Sequence, residues 1–99
     1  MTITIHSIHF NADEKLEGFI RRKLQKLEQL HDRIIGTEVY LKLDNNAAQL
    51  REKVAEIKVK LPGTVLFSEE RSMAFEASVD VATDHIVKQL KKHKEKLRN

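Results

Sequence analysis

The chain has 99 residues, enough for one domain. Its 40% apolar and 33% charged residues suit a small folded protein and exclude a disordered one. It has no Cys, which excludes disulfides, thiolate metal sites and cysteine nucleophiles. The formal charge is +3 but unevenly spread: residues 88–98 hold six cations and one anion, while the rest of the chain holds 12 Lys and Arg against 14 Asp and Glu.

Residues 2–8 alternate Thr and Ile, which predicts a strand. The N-terminal segment lacks the basic-then-apolar order of a signal peptide, and no apolar run approaches membrane-spanning length, so the protein reads as cytoplasmic. Asn11, with Glu14 three residues on, offers a capping box for a helix running to about Leu30. Leu16, Phe19, Ile20, Leu24, Leu27 and Leu30 recur at spacings of three and four and make one apolar stripe.

Residues 35–44 alternate again, with Val39, Leu41 and Leu43 on one face and Glu38, Tyr40 and Lys42 on the other. Asp44-Asn45-Asn46 signals a loop, and the stretch 44–52 is the one candidate for a mobile segment. Residues 53–61 repeat the alternation, Pro62-Gly63 marks a tight turn, and 64–70 reads as a third consecutive antiparallel strand. A long helix is predicted from about Met73 to Leu97, with Phe75, Val79, Ala82, Ile86, Leu90, His93 and Leu97 as its apolar stripe.

The order is β-α-β-β-β-α over a single domain, residues 1–99. Each strand between the helices has one apolar face and each helix one apolar stripe. The expected fold is therefore α+β: a four-stranded sheet with two helices side by side on one face and the other face wet.

The basic residues fall into stripes. On the last helix Lys88, Lys92 and Lys96 align, with His85 at the N-terminal end of the row. Lys91, Lys94 and Arg98 form a second row. Cations in a last helical turn complement the macrodipole, but that effect covers about one turn and these span nearly three. An ordinary solvated helix would interleave acids for i,i+4 pairs. On the first helix Lys15, Arg22 and Lys26 share a stripe, while Lys23 lies inside the apolar arc and must extend its ammonium along the edge of the core. Two basic helices side by side predict one continuous positive surface, the footprint of a polyanion-binding face.

Other chemistry is sparse. His6 and His9 are three apart on a strand end and point to opposite faces, a poor metal pair. His93 reads as a core-edge residue, and Asp80 and Asp84 as a solvated or capping pair. Three Gly in total argue against a phosphate loop. With one Tyr and no Trp, base stacking is poorly supported, which leaves phosphate and shape recognition of structured RNA. No cofactor, metal or small-molecule substrate is expected, and an enzyme is disfavoured for want of a convergent nucleophile, metal or phosphate-loop signal.

These residues together resemble the ribosome hibernation factor family, which comprises the hibernation-promoting and ribosome-associated inhibitor proteins and is also described as sigma-54 modulation proteins. The resemblance covers the whole chain. It is strongest at Lys23-Leu24-Gln25-Lys26-Leu27-Glu28 with Asp32-Arg33-Ile34, at Ala77-Ser78-Val79-Asp80, and at Lys88-Gln89-Leu90-Lys91-Lys92-His93-Lys94-Glu95-Lys96-Leu97. It implies a fold like that of double-stranded-RNA-binding domains, binding of small-subunit rRNA in the decoding region, and inhibition of translation under starvation or in stationary phase. The family's RNA-contacting cations match Lys23, Lys26, Lys88 and Lys92, and extend to Lys91, Lys94 and Lys96. With Arg22 from the first helix these are the candidate RNA-binding residues.

The chain departs from the family pattern at Ala74-Phe75-Glu76, where Asp-Met-Tyr is frequent, and at His85, where Lys is frequent. Without a second domain or an acidic tail it looks like the short, hibernation-promoting form, a monomer when free. Two other readings stand beside this one. A general structured-RNA module would lack ribosome specificity. A protein-interaction module would set the basic helix on an acidic partner.

Overall fold

The computed structural model describes residues 1–45 and 51–98. The chain runs β1 (Thr2–Ile8), α1 (Glu14–Gln25), a 3-10 turn (Lys26–Gln29), β2 (Gly36–Asn45), β3 (Arg51–Leu61), β4 (Thr64–Ser72) and α2 (Phe75–Arg98). The four strands form one sheet in chain order. β1 pairs parallel with β2, while β2–β3 and β3–β4 are antiparallel. The parallel pair follows from the helical crossover, because a short turn can join only antiparallel neighbours.

The expected α+β arrangement is present. Ile20, Leu24 and Leu27 from the first helical segment, and Val79, Ala82, Ile86 and Leu90 from α2, bury their stripes against Val39, Leu41, Ala55, Ile57 and Val59 of the sheet. Residue alternation makes this possible, because it sends every second strand side chain into the same layer. Ser68 adds a buried tie, its hydroxyl donating to the Ala82 carbonyl at 2.8 Å and pinning β4 to α2.

Several boundaries differ from the sequence reading, each for a local reason. The α1 cap is Asp13, whose carboxylate accepts from the Leu16 amide at 2.8 Å, and not Asn11 with Glu14. Left-handed backbone at His9 (φ 63°) turns the chain so that Phe10 stacks on Phe75 at 5.0 Å, and helical geometry begins only after that anchor. The first helix does not run on as α-helix to Leu30. It tightens into a 3-10 turn after Gln25, which keeps Leu27 buried.

β2 reaches Asn45 and β3 starts at Arg51, so the ends of the predicted 44–52 loop are strand; its centre, 46–50, lies outside the described residues. β4 continues to Ser72, and α2 starts at Phe75. Gly63 has φ 76°, which suits the third position of a type II turn after Pro62. Leu97 is 55% exposed, so α2 outruns the core it was expected to cover there.

The uncovered sheet face is laced with charge pairs. Lys60 meets Glu38 at 2.5 Å, Lys42 meets Glu56 at 2.9 Å, and Arg71 meets Asp44 at 2.6 Å. His6 stacks on Tyr40 at 4.6 Å, and the Tyr40 hydroxyl donates to Glu38. The Lys60 and Tyr40 hydrogen bonds hold the Glu38 carboxyl down at about 2.

Candidate nucleic-acid interface

The relative direction of the two helices decides how the basic stripes combine. β1, β2 and β4 run the same way, and each helix returns antiparallel to the strand before it. The helices are therefore parallel to each other. Contacts trace the shared direction: Phe10 on Phe75 near both N-termini, Lys23 on Asp80 further along, and His31 on His93 near the far end.

Parallel packing points both helical segments toward one end of the molecule, with Arg22 and Lys26 flanking the Lys23–Asp80 contact and Lys88 to Lys96 further along α2. Arg22 and Lys26 from the first helical segment and Lys88, Lys91, Lys92, Lys94 and Lys96 from α2 are all exposed. None of them has a carboxylate partner among the described residues. The opposite end, where the helices begin, holds Glu14, Glu17 and Glu76, while Asp80 and Asp84 lie further along α2, level with the end of α1. The helix layer is thus polarised, acidic where the helices begin and basic where they end.

The expected continuous positive groove is interrupted. The stem of Lys23 packs along the core edge as the helical angle requires, and its ammonium reaches α2, but there it pairs with Asp80. The Lys23 side chain is 34% exposed and the Asp80 side chain 50%. The ammonium also stands 6.0 Å from the centre of the Phe19 ring. Phe19, Arg22, Lys23, Gln25, Lys26 and Gln29 line an open depression on this side. Asp80 is thus an interhelical ion-pair partner, not a solvated or capping acid. A Lys placed inside an apolar arc was the sequence signal that an acid should face it.

His93 joins a second contact that sequence reasoning missed, between α2 and the segment that follows the 3-10 turn. His31 is 4% exposed. Its Nδ1 accepts from the Arg33 amide at 3.2 Å, which leaves the ring proton on Nε2, donated to His93 Nδ1 at 3.1 Å. Burial first, then His93, Lys94 and Arg33 nearby, hold the His31 pKa below the usual 6.5, with Asp32 opposing them. The pair closes the basic end of the layer. No local signal in the sequence links residues 62 apart.

The remaining candidates separate from this surface. His85 pairs with Glu70 of β4 at 3.2 Å, on the flank of α2 away from α1. His6 lies on the open sheet face against Tyr40, and among the described residues no group of three or more His, Cys, Asp or Glu could hold a metal. No helix among the described residues is long and apolar enough to cross a membrane.

A family model described as sigma 54 modulation protein / S30EA ribosomal protein matches residues 3–98. The ribosome hibernation promoting factor of Escherichia coli is 30% identical over 102 aligned positions, covering 99% of this chain and 98% of that protein. The Pseudomonas putida factor of the same name is 29% identical over 96 residues, covering 97% and 89%. A ribosome hibernation promotion factor from Picosynechococcus is 33% identical over 98 residues, and there the chain spans 50% of the relative's length.

Among solved structures, a ribosomal subunit interface protein from Coxiella burnetii superposes with a TM-score of 0.84 at 22% identity, covering 96% of this chain and 99% of that one. The N-terminal domain of Thermus thermophilus Protein Y gives 0.78 at 26% identity, covering 94% and 99%.

Proposed function

The chain belongs to the sigma 54 modulation protein / S30EA ribosomal protein family, a family of hibernation factors rather than enzymes, and from that membership we propose that it binds the small ribosomal subunit and stops translation. In this reading it contacts rRNA of the decoding region through the basic end of its helix layer and occupies the space that mRNA and tRNA would use. A ribosomal partner makes it a cytoplasmic protein. Starvation or stationary phase is the setting in which such a block is useful.

The observation that carries the reading is that Arg22, Lys26, Lys88, Lys91, Lys92, Lys94 and Lys96 on the two helical segments are all exposed with no carboxylate partner among the described residues. Such cations gain more from phosphates than from water, because each phosphate contact releases condensed counterions. The open sheet face offers nothing comparable, since Lys60, Lys42 and Arg71 are already matched by Glu38, Glu56 and Asp44, and the Lys58 ammonium stands over the Tyr40 ring at 5.3 Å. No bond-making step is needed: inhibition follows from occupancy by a folded wedge.

Co-sedimentation with purified small subunits, run beside an in vitro translation assay, tests this. The expected result is binding to small subunits over excess tRNA, with inhibition that tracks occupancy. Binding that survives ribonuclease digestion of the target, or equal affinity for tRNA, would reject the reading.

A further inference from the structure

Asp80 stands where a polyanion-binding surface should have no acid. It lies between the two helices, and an exposed ion pair of this kind adds little to stability. Two neighbours make its position more than incidental. Lys23 reaches Asp80 across the groove with its stem already packed on the core edge. The Phe19 ring faces the same ammonium from a third direction, 6.0 Å from its centre. A Lys side chain ordinarily samples many rotamers, and here three restraints hold it in one. An ammonium has three donors, so the Asp80 contact leaves others directed outward.

We infer that Asp80 is a positioning and specificity-determining residue. It fixes the Lys23 ammonium in the interhelical groove and keeps phosphates off the acidic half of the layer. The inference rests on the ribosome-binding reading above and deepens it. An untethered Lys23 beside no acid would attract any phosphate chain. A tethered Lys23, bordered by Asp80, rewards only an RNA surface whose phosphate sits at the fixed ammonium while its neighbours avoid the carboxylate. Affinity for unstructured polyanions is lowered, and discrimination is raised.

Asp84 supplies the control. It lies one turn further along α2, is exposed, and has no ion-pair partner among the described residues. Removing either acid removes one negative charge from the same helix face, but only Asp80 holds Lys23. Both Asp80→Ala and Asp84→Ala introduce a good helix former at a surface position, so folding is preserved.

Affinities for purified small subunits and for poly(U) are measured at one salt concentration. Asp80→Ala is expected to strengthen poly(U) binding about fivefold, the scale of one unit charge a few ångströms away in water. It should leave subunit binding within about twofold, because lost orientation offsets the charge gain, so the subunit preference falls at least about 2.5-fold. Asp84→Ala should strengthen both alike, and Asp80→Glu should retain the preference. An unchanged preference in Asp80→Ala, or equal shifts in the two alanine variants, overturns the inference in favour of bulk charge.

A readout on the free protein separates this from the ribosome reading. The hindered Lys23 ammonium should give a resolved proton–nitrogen NMR correlation in the wild type and in Asp84→Ala, and lose it in Asp80→Ala. Its absence from the wild type overturns the positioning whatever the ribosome does. Its presence, with no subunit preference in the wild type, rejects the ribosome reading instead.

Discussion

Neutralising two cations of the α2 stripe tests the proposed face with a magnitude fixed in advance. Lys88 and Lys92 are one turn apart, exposed, and without a carboxylate partner among the described residues. Each phosphate contact contributes about 0.9 to the slope of log affinity against log salt for duplex-like targets, and about 0.7 for single strands. Five contacts across the basic end give a slope of roughly −4, and Lys88→Gln with Lys92→Gln should bring it nearer to −2.5. Near 0.1 M salt the two lost contacts amount to about 1.4–1.8 log units, a 25- to 60-fold weakening. Gln is nearly as good a helix former as Lys, so melting should move within about 0.5 kcal/mol per site. Filter binding or sedimentation over a salt series, with magnesium held constant, reads both quantities. A folded double variant with an unaltered slope would refute the assignment. So would an equal loss from Lys58→Gln with Lys60→Gln on the open sheet face, where Lys60 already meets Glu38.

Three further outcomes are expected. Lys23→Met keeps the packed stem and loses only a partly exposed ion pair, so stability should hold within about 1 kcal/mol while subunit affinity drops, as calorimetry and binding would show. Ile86→Ala removes a fully buried side chain between α2 and the sheet and should cost roughly 2–5 kcal/mol in denaturant melts, with binding slopes unaffected in the folded fraction. His31 has a lowered pKa in the folded state, so the unfolded chain binds more protons below about 6.5; its stabilising effect is complete above that pH and lost as pH falls below it. The difference in melting temperature between wild type and His31→Gln should therefore shrink on acidification from pH 8 to 5, and a constant difference would argue against the buried pair.

The sequence carried the parts of this structure that repeat at short range. Period-two alternation at 35–44 and 53–61 placed the correct strand faces inward, since a strand with one buried face has only one workable register. The stripes of both helices were equally legible, down to the awkward placement of Lys23. What could not be read were choices settled between distant elements. Asn11 and Asp13 are both good capping residues, and the packing of Phe10 on Phe75 decides between them. Leu97 satisfies the helical period, yet the sheet ends before it, so period alone could not predict its exposure. Asp80 looked like a surface acid because its partner lies on another helix, and His31 with His93 left no local trace at all.

Helix direction links these missed features. Because β1, β2 and β4 run together, both helices must point the same way, and their macrodipoles add instead of cancelling. The end where both helices finish would be negative if bare. Cations there first offset that field, and only the excess is available to a partner. A single turn of Lys or Arg on each helix would suffice for the first task, whereas α2 carries cations from Lys88 to Lys96, beyond the last fully buried residue, Leu90. The molecule is 48 Å long and 19 Å thick, so this excess charge sits on a projecting end, not on a broad face. At the other end Glu14, Glu17 and Glu76 sit in first turns where the dipoles are positive, stabilising the helices and repelling phosphate. A polyanion approaching the layer is thus attracted at one end and rejected at the other, which fixes orientation before any specific contact forms.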